Sequence, residues 1–227
     1  MGLSRRQVLA GTVGVVSTAL ITEQTSADIA FARPCGASKA VTTAVYIEVN
    51  HEDFATVGAF VREGAHRPVF DLAMIFAANI NYDGCTAYLH LNERVLETLR
   101  ATETQIRPLQ RRGTKVLLSL LGNHEGAGFA NFPIRHDADR FAAQVARVVH
   151  RCHLDGVDLD DEYSEYGKNG TGQPNEDSFV WFVRALRRHL GPHKLLTLYS
   201  IGPSVDRTVS AVGNASDDLD YAWNPWY

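Results

Sequence analysis

Asp155-Gly156-Val157-Asp158-Leu159-Asp160-Asp161-Glu162-Tyr163 carries acids at every second position: Asp158, Asp160 and Glu162. Side chains two apart on an extended strand project from one face, so the three carboxyls form a column. Ionising close neighbours together is costly, and at least one acid of the column is expected to hold its proton unusually well. Such a column adds nothing to folding stability and points to proton chemistry at an accessible strand end. It also decides the architecture. On an open parallel sheet both faces lie under helices, and a row of carboxyls would sit in apolar packing at heavy cost. In a barrel the C-terminal ends of the strands open into a mouth. Glu162 stands at such an end, just before the polar loop Ser164 to Asn175, so a barrel is expected.

Strand-like and helix-like segments alternate on both sides of this stretch. Val45–Val49, Phe70–Ala77, Lys115–Leu121, Leu195–Tyr199 and Leu219–Asn224 read as strands. Helical spacing recurs at Phe54, Val57, Phe60 and Val61, and again at Val95, Leu96 and Leu99 behind an Asn92 cap. Two further stripes are Phe141, Val145, Val148, Val149 and Cys152, then Phe179, Phe182, Val183, Leu186 and Leu190 before Gly191-Pro192. This rhythm predicts an α/β fold, a (β/α)8 TIM barrel of which about six βα units are present. Barrels of this kind take ~250 residues, so the barrel domain over 33–227 is expected to be incomplete at its C-terminus.

At the other end, Ser4-Arg5-Arg6-Gln7 precedes a small-residue apolar run to about Ile21, and Ala30-Phe31-Ala32 follows. Paired arginines, a moderately apolar segment and an A-x-A site read as a twin-arginine export signal over residues 1–32. The run is shorter than a membrane span, so a secreted protein with no membrane association after cleavage is expected. A net charge of −4 leaves no basic footprint for nucleic acid. Arg184, Arg187 and Arg188 read as a solvated helix face, and Cys35, Cys85 and Cys152 are too few and too odd for a disulfide framework. A monomer is expected.

Breaking a glycosidic bond needs an acid for the leaving oxygen and a group that attacks the anomeric carbon. Asp160 and Glu162 lie ~6.5–7 Å apart along one strand and cannot flank a sugar ring from opposite faces. One can be the acid, and the nucleophile then comes from elsewhere. A substrate with a 2-acetamido group supplies it through its own carbonyl oxygen. Glu162, the most distal, would be the acid, Asp160 would meet the acetamide N–H, and Asp158 would share a proton with Asp160. The alternatives are a divalent metal held by the carboxyls and a purely structural column, although no nearby histidine has clear ligand spacing.

At these residues a resemblance becomes specific. Asp155-x-x-Asp158-x-Asp160-x-Glu162 resembles the D-x-x-D-x-D-x-E signature of family 18 glycoside hydrolases. Ile75–Tyr82, Lys115 through Pro133, and Leu154 to Thr171 are similar to bacterial endo-β-N-acetylglucosaminidases of the endoglycosidase H type. The resemblance implies cleavage of the β-1,4 bond between the two core N-acetylglucosamines of high-mannose or hybrid N-glycans, with no cofactor and no metal. The partner is then an N-glycan or chitin-like oligosaccharide, on a glycoprotein or free. It implies Glu162 as proton donor, Asp160 as acetamide partner and Asp158 as support, with Asn224 contacting the acetamide. Where the relatives carry a tyrosine pair after Asn-Pro, this chain has Trp226-Tyr227 after Asn224-Pro225. Tyr199, Trp226 and Tyr227 are the aromatic candidates for substrate contact. A chitinase and a non-catalytic glycan binder are the alternatives. Phe129 and Phe132 either wall the glycan or anchor their own loop, and Tyr163 and Tyr166 either border the cleft or pack the loop.

Overall fold

Six parallel strands pair in chain order to form the sheet that carries the acids. They are β1 (Ala44–Glu48), β2 (Leu72–Tyr82), β4 (Lys115–Gly122), β5 (Gly156–Asp160), β6 (Leu195–Tyr199) and β9 (Tyr221–Trp223). Between them run β3 (Ala87–His90), α1 (Glu93–Arg100), α2 (Arg107–Arg111), α3 (Arg135–Arg151), α4 (Ser178–Leu190), β7 (Val209–Ser210) and β8 (Gly213–Asn214). The computed structural model describes residues 42–64 and 67–225. The export-signal reading of residues 1–32, Cys35, and the substrate contacts assigned to Trp226 and Tyr227 lie outside the described residues.

The sheet is curled rather than open. Five inter-strand steps of ~4.8 Å would set the first and last strands of a flat sheet ~24 Å apart. Yet the Trp223 indole on β9 donates to the Tyr46 hydroxyl on β1 at 3.1 Å, across 177 residues of sequence. Only a sheet bent far toward closure allows that contact, and it gives the partial barrel its concave side. Parallel register then sorts residues by face. Ala73, Ile75, Val116, Leu118, Val157, Leu159, Leu196 and Leu198 face outward and pack in one large core with the helices. Leu72, Met74 and Leu117 form a smaller inner cluster with Tyr46, Leu195, Tyr221 and Trp223.

The helices follow from their apolar stripes and caps. Asn92 starts α1 by accepting the Val95 N–H at 2.9 Å. Gly191, at φ 78°, closes α4 in a conformation few other residues adopt. Phe182 of α4 packs against Phe129, Phe132 and Phe141, which joins α3, α4 and the loop after β4.

Several elements depart from the sequence expectations for identifiable reasons. Phe54–Ala59 is a 3-10 helix rather than an α-helix, and Phe60 and Val61 are half exposed. Phe54 and Val57, three apart, are the only residues of that turn in the core, which is the spacing a 3-10 helix satisfies. β2 runs on to Tyr82, past the expected end at Ala77, because β3 folds back antiparallel against its far half. β9 is shorter than expected. Glu162 lies two residues beyond β5, so only Asp158 and Asp160 of the column are in the strand proper.

Arg187 is not part of a solvated face. Its side chain is 10% exposed and pairs with Asp220 at 2.7 Å. It also donates to the carbonyls of Gly191, Lys194 and Asp218. Asp220 in turn accepts the Leu196 N–H, so this arginine ties the end of α4 to β6 and to the approach to β9. Arg187→Met should lower the unfolding free energy by roughly 2–4 kcal/mol, because a carboxylate and three carbonyls lose their donor in a largely buried place. Urea unfolding measures it; a loss below about 1 kcal/mol would mean that the pair behaves as a surface ion pair.

Candidate active site

The first acid of the signature does not belong to the column. Asp155 sits just before β5, at the bottom of the sheet, and accepts from the Val116 N–H at 2.9 Å and from Gln110 at 2.8 Å. Lys115 pairs with its other oxygen at 3.1 Å. Its own N–H and carbonyl bond to Val116 and Leu195, so the residue fastens β5 to both neighbours. At Gly156 a Cβ would lie 2.1 Å from the Leu195 carbonyl oxygen, and only glycine allows so close an approach. These contacts hold β5 in a register that sets Asp158 between Ser119 and Thr197, and Asp160 beside Tyr199.

Asp158 is fully buried. Ser119 donates to one oxygen at 2.9 Å and Thr197 to the other at 2.5 Å. The Tyr46 hydroxyl also bonds to this carboxyl. Burial pushes its pKa up to about 6, against the pull of the three hydroxyls. The same burial, with the Asp158 charge behind it, raises the Tyr46 phenol far above its usual range.

Asp160 is 3% exposed and lacks that help, since its Oδ1 has no hydrogen-bond partner among the described residues. Burial first, and then the charges of Glu162, Asp158 and Asp161, push its pKa up to about 8. At neutral pH Asp160 holds a proton. Glu162 is partly exposed at the open end, and its carbonyl accepts the Gly122 N–H at 3.0 Å. Two further bonds, His124 N–H to the Tyr163 carbonyl and Gly126 N–H to the Ser164 carbonyl, extend this pairing beyond the strands. A Cβ on Gly122 would lie 2.4 Å from the Glu162 carbonyl oxygen, so glycine is required for it.

The structure brings Asp158, Asp160, Glu162 and Tyr199 together. The Tyr199 ring lies 6.0 Å from Tyr46, and its backbone registers with Asp160 and Trp223. Asn224 follows Trp223 at the exposed end of β9. Phe129 and Phe132 are buried against Phe182 and anchor their own loop, with no surface left to wall a glycan. Tyr166 likewise packs the loop, with its hydroxyl on Asp161, whereas Tyr163 is 55% exposed with its ring 5.2 Å from His124. Ser119, Thr197 and Tyr46 escaped the sequence reading. For Ser119 and Thr197 a signal was available: each is the one Ser or Thr within a mostly apolar strand, Lys115–Gly122 and Leu195–Tyr199.

These shifts fix a dependence of stability on pH. Both carboxyls bind protons more tightly folded than unfolded, where they return toward 3.8. Their contribution is complete below about pH 4 and is lost as pH rises, by about 6 for Asp158 and about 8 for Asp160. Thermal melts should show Tm falling between pH 4 and 8, and Asp160→Asn should flatten the slope between pH 6 and 8. An unchanged slope in that variant would show that Asp160 does not hold its proton there.

Comparison with known proteins agrees with this arrangement. Residues 43–224 match the family model "Glycosyl hydrolases family 18". An endo-beta-N-acetylglucosaminidase of Flavobacterium sp. is 52% identical over 187 residues, covering 82% of this chain and 59% of that protein. Endo-beta-N-acetylglucosaminidase F1 of Elizabethkingia meningoseptica is 33% identical, over 78% of this chain and 53% of that protein. The chain thus spans a little over half the length of these relatives. Among solved structures, Bacteroides thetaiotaomicron EndoBT-3987 with its Man5GlcNAc product superposes with a TM-score of 0.73 at 30% identity, covering 83% of this chain and 45% of that one. A curled parallel sheet, an acid column at its open end and a family match over most of the chain together establish that the protein belongs to family 18 of the glycosyl hydrolases.

Proposed function

We propose that this protein hydrolyses the β-1,4 bond between the two core N-acetylglucosamines of high-mannose or hybrid N-glycans, by substrate-assisted retention. The observation that carries the reading is the pairing of a partly exposed Glu162 with a buried Asp160 whose Oδ1 has no partner among the described residues. A buried acceptor left unpaired is costly, and an acetamide N–H from the substrate would satisfy it. The name of the 52% identical relative supports the substrate class, as does the structure of EndoBT-3987 in complex with Man9GlcNAc2Asn.

In this mechanism Glu162 gives its proton to the glycosidic oxygen as the bond to the anomeric carbon breaks. The acetamide carbonyl oxygen of the same sugar attacks that carbon, and the positive charge spreads into the ring so formed. Asp160 accepts the acetamide N–H, which turns the carbonyl toward the anomeric carbon; its proton passes to Asp158 as charge develops in the ring, and the carboxylate left behind balances that charge. Glu162, now ionised, removes a proton from the water that opens the ring and restores the starting configuration. Asp158, held by three hydroxyls, keeps a second titrating carboxyl directly behind Asp160, so protons can redistribute along the column.

A Man9GlcNAc2-Asn glycopeptide should lose its glycan and keep one N-acetylglucosamine on Asn, as read by mass spectrometry. Glu162→Gln keeps the shape and removes the acid, and should reduce kcat by about 10²–10⁴-fold. Release of chitobiose from chitin with no action on the glycopeptide would assign the site to chitin instead.

A further inference from the structure

We propose that Asp161 is a positioning residue for Glu162: its buried carboxylate knots three loops at the mouth and fixes the backbone from which the acid projects. This inference rests on the reading of Glu162 as proton donor. Asp161 lies between two residues assigned to the reaction, yet its side chain turns away from both, into the loops.

The carboxylate is 3% exposed and both of its oxygens are saturated. Oδ2 accepts from the Ser204 N–H at 2.8 Å and from the Ser204 hydroxyl at 2.6 Å. Oδ1 accepts from the Ser164 hydroxyl at 3.1 Å and from the Tyr166 hydroxyl at 2.5 Å. Tyr166 in turn accepts the Ala130 N–H at 3.2 Å. One carboxylate therefore joins the loop after β6 (Ser204), the loop after β5 (Ser164, Tyr166) and, through Tyr166, the loop after β4 (Ala130). Burial pushes the pKa of this carboxyl up, against the pull of its four donors.

The surroundings are built for this contact. Gly202, at φ +75°, passes so close that a Cβ there would lie 2.0 Å from the Asp161 carbonyl oxygen. A Cβ on Gly128 would lie 2.4 Å from both the Ser164 and Tyr166 hydroxyl oxygens. Beyond Glu162, Tyr163 and Glu165 hold positive φ values of 57° and 48°, conformations that cost energy and persist only where neighbours impose them. Asp161 holds the chain just before Glu162, and the Gly122 N–H holds it at Glu162 itself. Between those two fixed points the acid has little freedom of direction. A displacement of about 1 Å in such a group can cost about 100-fold in rate.

Asp161→Asn keeps the size of the side chain and replaces one acceptor oxygen with a donor. On the Man9GlcNAc2-Asn glycopeptide, kcat should fall about 100-fold while KM stays within about threefold, since substrate binding does not depend on where the acid points. Asp161→Ala, which keeps no acceptor, should lose about tenfold more in kcat. Should these variants not fold, as judged by circular dichroism, Tyr166→Phe and Ser204→Ala each remove one donor and should lower kcat about 5–10-fold at constant KM. A loss that appears in KM with kcat intact, or kcat within about threefold of the parent in every folded variant, would overturn the proposal. A fully active Glu162→Gln protein would overturn the proton-donor reading and this inference with it. An inactive Glu162→Gln protein beside a fully active Asp161→Asn protein would remove the positioning role alone.

Discussion

Asp158 sits inside the curled sheet with no access to water, and its solvation is supplied by hydroxyls on the strands to either side, Ser119 on β4 and Thr197 on β6. A buried carboxylate without such partners would cost several kcal/mol. The requirement reaches well beyond one residue. A one-residue slip of β5 would turn Val157 or Leu159 inward and drive the acids into the helix layer. Strand order, parallel direction and register are therefore all tied to the need to keep this group hydrogen-bonded. Asp155 and Gly156 secure the same register from the bottom of the strand, where no chemistry is assigned.

Along the column, environment rather than residue type separates the acids. Among the described residues, Asp158 has three hydroxyls and Asp161 has four donors, whereas one oxygen of Asp160 has none. Burial alone would raise all three, and the donors pull two of them back. Asp160 is left with the charges of its neighbours adding to its own desolvation, so it holds its proton to a higher pH than Asp158 does. The arrangement places an easily protonated carboxyl next to the one open to solvent.

Much of this was legible in the sequence where a signal is local. Leu195–Tyr199 is a strand with the expected bounds, and the apolar stripe from Phe179 to Leu190 is a helix, because each carries its periodicity within a few residues. The acid column was legible because strand geometry maps alternation onto a face. What stayed hidden depends on distant partners. Nothing near Arg187 announces that Asp220, 33 residues away, will bury it. Ser119 and Thr197 are ordinary residues until β4 and β6 are set beside β5. The strand Ala87–His90 becomes regular only by pairing with the far half of β2, a half whose asparagines obscured it. The Phe129 and Phe132 rings, open to either reading in the sequence, became core residues when α4 supplied Phe182 to pack against them.

The hydrogen bond from Trp223 to Tyr46 also bears on how the chain reaches this fold. Its two ends are 177 residues apart, so the first strand to leave the ribosome meets this partner only near the end of the described chain. At about 5–20 residues per second, that interval is roughly 10–35 s. Until then the inward face of β1 has only β2 beside it, and its aromatic side chain is uncovered on the side where β9 will arrive. Contacts of such long range slow folding and leave apolar surface exposed in the meantime. Assembly is therefore expected to begin around β4, β5 and the α3–α4 pair, with the curl of the sheet drawn in last.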